Sequence, residues 1–232
     1  MFTNFVSAAL GIGIALLLAF PLGTTLKKHP APFYFVAFLI VALHLAYRVQ
    51  GAYIAQAQIV LDAVNKAYLG SALLAIVMFT GVLQENSSLR QHLQPIRAEL
   101  AILSFIFICD HMIGYAPSFF PVLGRLFSVR AGMAVSIVAA VVLALVFAVL
   151  SATSLRAIRR KMSPHTWKHI QRGSYAMVAL LWVHIVLVLG RTAFGGSGSP
   201  TAITALVVYT VIIALYVVLR IRKALHDRKA RS

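Results

Sequence analysis

The sequence predicts an all-α membrane protein of about seven transmembrane helices, and three observations carry that expectation. The chain of 232 residues is 61% hydrophobic and only 11% charged. Its apolar residues fall in continuous runs near the ~20 residues that a helix needs to cross ~30 Å of hydrocarbon. Its Lys and Arg cluster between alternate runs. A β-barrel would instead show short alternating segments, unlike the unbroken run Val135 to Leu150.

The runs cover residues 4–22, 33–49, 67–83, 98–119, 130–152, 173–190 and 202–220. The first is expected to be retained rather than cleaved as a signal: Met1 to Ala19 has no Lys or Arg, and Lys27 and Lys28 follow the apolar stretch. This order favours a retained span with the N-terminus outside. The third run is the shortest. Between the fifth and sixth, Ser163 followed by Pro164 reads as a helix N-cap with proline at the first helical position. The sixth helix is expected to begin in the interface and enter the membrane near Gly173. Gly195 to Pro200 reads as a turn on the outer side.

The formal charge of +16 is distributed as a membrane protein requires. With the N-terminus outside, Lys27, Lys28, Arg90, Arg97, the loop Arg156 to Arg172 and the tail Arg220 to Arg231 lie on the cytoplasmic side. Only Arg48, Lys66, Arg125, Arg130 and Arg191 lie outside. This asymmetry follows the positive-inside rule, with an odd number of spans and the C-terminus inside. A basic rim of this kind touches anionic lipid and argues against a nucleic-acid partner. Residues 1–30 are read as an additional N-terminal span, 31–221 as a six-helix membrane domain and 222–232 as a basic tail. Gly11 and Gly13 lack the later glycine of a dinucleotide turn and read as packing residues. Cys109 stands alone, which excludes an intrachain disulfide or a cysteine-rich metal site.

Histidines within the spans are the candidate functional residues, because polar groups in hydrocarbon need partners. His111 lies 14 residues past Arg97, roughly 21 Å along the helix, and His184 lies 12 past Arg172, roughly 18 Å. His44 is 12 residues past Pro32 and falls at a similar level. All three sit on spans expected to run in the same direction, so they are level in the outer half. Taken singly, each fits either a ligand or a hydrogen-bonded packing residue. A bare zinc or copper site would recruit further Cys, Asp or Glu ligands, whereas a b-type haem needs two axial imidazoles and an apolar slot. The face of His111 carries Ser104, Phe107, Ile108 and Tyr115, and that of His184 carries Met177, Leu180, Leu181 and Val188. Arg48 and Arg191 follow His44 and His184 on the same faces and suit haem propionates. Asp110, about 100° around the helix from His111, fits a proton acceptor, an orienting partner for a ligand, or a protonated packing residue.

The segments RAELAILSFIFICDH, ending at His111, and LRAIRRKMSPHTWKHIQRGSYAMVALLWVH, ending at His184, resemble the ferric reductase-like transmembrane family. VALHLA around His44 is a weaker echo, and GSALLAIVMFTGVL extends the resemblance to about residues 35–220. That family includes the haem subunit of bacterial periplasmic methionine sulfoxide reductase and, more distantly, ferric reductases and NADPH oxidases. The resemblance implies a six-helix core in the bacterial cytoplasmic membrane that binds haem b through His111 and His184 and carries electrons across. Donors would be a quinol or a separate cytoplasmic flavoprotein, docking at the basic loop. The acceptor would be a periplasmic or extracellular reductase subunit, or ferric iron. Family members with two haems have further histidines 13–14 residues earlier. Here those places hold Arg97 or Ala98, and Gln171 or Ile170, so a second, inner haem lacks its ligand pair. The competing expectation is a haem-free transporter or assembly factor whose histidines relay protons or pack.

Overall fold

The computed structural model describes residues 2–50, 58–123, 131–195 and 198–229, and no strand occurs among them. In chain order the helices are α1 (Phe2–Ala19), α2 (Gly23–Lys28), α3 (Pro30–Gln50), α4 (Gln58–Asn65), α5 (Tyr68–Thr80), α6 (Ser88–Leu93) and α7 (Arg97–Leu123). After these come α8 (Ala131–Ala152), α9 (Arg156–Arg159), α10 (Pro164–Gln171), α11 (Gly173–Phe194) and α12 (Pro200–Lys229). The chain is an all-α, multi-pass membrane protein. Among the described residues, 5 helical stretches are long and apolar enough to cross a membrane, or 6 if the bent pair α4 and α5 forms one span.

The expected count of seven full spans departs from this at two places. The apolar part of α1, Thr3–Ala19, covers roughly 26 Å at 1.5 Å per residue, short of ~30 Å of hydrocarbon. The third apolar run begins earlier than expected, but as two helices meeting at 46°. Ala67 stands between them in the left-handed region, with φ 59°. A side chain costs roughly 1–2 kcal/mol there, so the break is held by its surroundings.

The chain divides into two compact units, Met1–Pro117 and Ser118–Ser232. In the first, α1 lies against α4 and α5. Gly11 makes this approach feasible: a Cβ there would lie 2.8 Å from the backbone nitrogen of Leu69. Gly70 does the same for α5 against α7, where Ser104 Oγ donates to the Gly70 carbonyl at 2.7 Å. Small residues let helices approach closely where lipid offers no hydrophobic drive. Ala15, Ala19, Leu26, Leu73, Leu100 and Leu103 fill the buried core around these contacts. Gly13, by contrast, faces open space.

In the second unit, α11 packs against both α8 and α12. Buried residues include Phe147 and Leu150 on α8, Met177 and Val178 on α11, and Ile213 and Tyr216 on α12. The expected cap is present: Ser163 Oγ accepts the backbone N–H of Thr166 at 3.1 Å, with Pro164 opening α10. Helix α12 continues through the basic tail to Lys229.

Candidate functional site

The break between α4 and α5 organises a polar cluster in the first unit. Within α4, Asp62 is buried and its carboxylate accepts from Gln58 Nε2 at 2.8 Å and from Lys66 Nζ at 2.7 Å. Lys66 Nζ also donates to Asn4 Oδ1 on α1 at 2.8 Å. These bonds fasten the end of α4 where the chain turns through Ala67. A helix end leaves carbonyls without intrahelical partners. Asp62 O takes the Lys66 N–H at 3.0 Å, Val64 O takes the Ala67 N–H at 2.9 Å, and Asn65 O takes Nδ1 of His111 at 2.8 Å.

That last bond sets the tautomer of His111. A carbonyl only accepts, so Nδ1 carries the hydrogen, and Nε2 is the nitrogen that any ligand must meet. Tyr115, one turn along α7, lies with its ring centroid 4.9 Å from the imidazole.

Asp110, the preceding residue, faces α3. Its two carboxylate oxygens lie 2.7 and 2.8 Å from His44 Nδ1, and both residues are buried, at 0% and 4% exposure. An N–H shared by two carboxylate oxygens fixes His44 in the same sense, with Nε2 as its remaining nitrogen. One turn further on α3, Arg48 Nη1 donates to Asn65 Oδ1 at 3.0 Å. Gly114, one turn past Asp110, makes room for this: a Cβ there would collide with Arg48 Nη1 and lie 2.9 Å from Asn65 Oδ1. Residues 44 and 110 meet, as do 48 and 114, so α3 and α7 run in the same direction. The depth count placed His44 level with His111, and its bond to the adjoining residue agrees.

The first unit therefore brings together His44, Arg48 and His111, with Asp110, Asn65 and Tyr115. His184 and Arg191 belong to the second unit, on α11, where His184 is half-buried and Arg191 is exposed in the last turn. The positions expected to lack inner-haem histidines are engaged otherwise. Arg97 Nε donates to Val77 O near the end of α5 at 3.1 Å. Gln171 Nε2 donates to Leu150 O near the end of α8 at 3.2 Å. His92 bonds the Ala19 carbonyl at 3.0 Å and stacks on Phe20, which ties α6 to the end of α1. His165 and His169 are exposed neighbours on α10. Of the residues on the face of His111, Ser104 and Phe107 are buried in the first unit's packing. Among the described residues, no three His, Cys, Asp or Glu side chains converge to hold a bare metal ion.

Sequence reasoning missed Asn65, Asp62 and Lys66 as members of the cluster. The signal was present: these polar residues interrupt an apolar stretch that otherwise runs from Ile59 to Met78. Reading that stretch as one interrupted span would have exposed the break.

No family model and no solved structure matches the chain. An uncharacterized protein of Treponema pallidum (strain Nichols) is 35% identical over 173 residues, covering 74% of this chain and 47% of the relative. The chain thus spans about half the length of the curated relative it matches.

Proposed function

We propose that the chain is a b-type haem subunit of a bacterial cytoplasmic membrane. It relays electrons from a quinol or a cytoplasmic flavoprotein to an acceptor or partner reductase on the outer side. In this reading α1 and the α4–α5 pair complete seven spans, a six-helix ferric reductase-like core plus an N-terminal span, with the N-terminus outside. The basic residues between alternate spans support that orientation.

The observation that carries the reading is the bond from His111 Nδ1 to the Asn65 carbonyl. Metal-ligating histidines characteristically give their other ring N–H to a carbonyl or carboxylate, which holds ring and tautomer. A bound b haem supplies a one-electron carrier whose potential the protein tunes. The resemblance would make His111 and His184 its ligands, with Arg48 and Arg191 as cations suited to its propionates. His44 donates its Nδ1 hydrogen to Asp110, which leaves Nε2 as its remaining nitrogen. The reading includes one haem, because Arg97 and Gln171 serve helix ends instead. The test is a reduced-minus-oxidised spectrum of protein purified from haem-replete cells. A b-type band that a quinol can reduce supports the relay, and colourless protein ends it.

The broken span favours a second reading, a haem-free transporter or assembly factor with proton-relaying or structural histidines. Transporters place substrate and ion sites at interrupted helices, where freed backbone groups line the site. This reading gains if the purified protein is colourless yet moves protons or a solute in proteoliposomes.

A further inference from the structure

The hairpin α9–α10 follows α8 and leads into α11; the stretches Ala134–Ala152 and Pro164–Phe194 are long and apolar enough to cross a membrane, so it lies where one ends and the next begins. Side-chain bonds tie it down to α8. Trp167 Nε1 donates to Thr153 O at 3.2 Å, and Gln171 Nε2 donates to Thr153 Oγ1 at 3.0 Å as well as to Leu150 O. The guanidinium of Arg159 lies over the Trp167 ring, 4.3 Å from its centroid. Stacking occupies the flat face of a guanidinium and leaves its in-plane N–H fork for an anion.

The surroundings narrow the anion. Arg160, Lys161, Lys168 and Arg172 are exposed on the same hairpin, and the chain has no Asp or Glu between Asp110 and Asp227. Leu155 and Ile158 beside Arg159 are 36% and 38% exposed, which gives the cationic surface an apolar border. A free anion would match the charge alone. A lipid phosphate matches the charge, the apolar border and the position at the end of two spans.

We propose that the α9–α10 hairpin binds an anionic phospholipid headgroup, with Arg159, held on the Trp167 ring, gripping the phosphate. This does not depend on haem. The bidentate fork makes Arg159 specific, whereas Arg160 and Lys161 add only to the field.

The chain has two tryptophans, so a Trp182→Phe background makes fluorescence report Trp167 alone. The full-length protein in neutral detergent is titrated with dioctanoyl phosphatidylglycerol, dioctanoyl phosphatidylcholine, inorganic phosphate or poly-glutamate. Saturable binding of phosphatidylglycerol is expected, with the other three weaker. Arg159→Gln should weaken it about fivefold, the effect of one basic residue at a membrane surface. Arg159→Lys should lose most of that affinity although it keeps the charge, whereas Arg160→Lys should be silent. Far-ultraviolet circular dichroism checks that each variant keeps its helices. Equal binding of the zwitterionic lipid, or an Arg159→Lys variant as tight as the parent, would overturn the proposal. Inorganic phosphate binding as tightly would make this a free-anion site, and poly-glutamate doing so would make it a protein-docking surface. Either result also overturns it.

Discussion

The two units of the molecule treat charge in opposite ways. In the first, carboxylates are interleaved with basic side chains and tied to them: Asp62 to Lys66, Glu85 to Arg90, and Asp110 to His44. In the second, Asp227 is the single carboxylate, set near Lys223 and His226 at the end of α12. Among the described residues of this unit, Arg159 lies on the Trp167 ring and Arg220 on the Tyr175 hydroxyl, while Arg160, Lys161, Lys168 and Arg172 are exposed. Fixed internal partners hold side chains in one geometry, which suits chemistry at a defined atom. An unneutralised field suits recognition of a broad anionic partner and gives little structural precision. The comparison puts the positioned polar cluster in the first unit and the exposed cationic surface in the second.

Removing Asp110 should break this contrast most severely. Asp110→Ala leaves the His44 N–H buried without its acceptor, at a cost of about 3 kcal/mol, the upper end for an orphaned buried donor. Thermal unfolding in detergent should show a large drop. Arg220→Ala on the exposed Tyr175 hydroxyl in the second unit should cost no more than about 1 kcal/mol. A similar drop for both would mean that the buried pair has no special standing.

Glycine substitutions sharpen the same comparison at a smaller scale. Gly11→Ala pushes a Cβ onto the Leu69 backbone and should destabilise by about 1–3 kcal/mol. Gly190→Ala in the second unit meets nothing within 4 Å and should be neutral or stabilising by up to about 1 kcal/mol. The same unfolding assay reads both. Gly11→Ala without effect would show that α1 does not pack tightly on the broken span.

The smallest effect is expected at the α10 cap. Ser163→Ala removes the acceptor for the Thr166 N–H and should cost about 1 kcal/mol, seen as faster amide exchange in residues 165–171. Unchanged exchange would mean that the ties from Trp167 and Gln171 alone hold the hairpin.

Much of the fold was legible in the sequence, because apolar run length and cap chemistry are local. The run 130–152 became α8 (Ala131–Ala152), and Ser163–Pro164 opened α10 as expected. For one pair the count of rise per residue can be compared: it put His44 level with His111, and His44 bonds the adjoining Asp110. What it could not supply was direction and partner. That Asp110 turns to His44 while His111 turns to Asn65 depends on which helices flank α7, a tertiary fact. The break at Ala67 was hidden for a related reason. Nothing about an alanine demands a left-handed backbone, and the turn exists because Asp62, Lys66 and Asn4 hold the end of α4 in place.

The central claim is that His111, oriented by the carbonyl that the break exposes, is an iron ligand. The most direct measurement is the reduced-minus-oxidised spectrum of purified His111→Ala beside the parent protein, with folding checked by circular dichroism. The account predicts a b-type band in the parent that is lost in the variant while helicity is retained. A parent without haem, or a variant with an unchanged band, would contradict it.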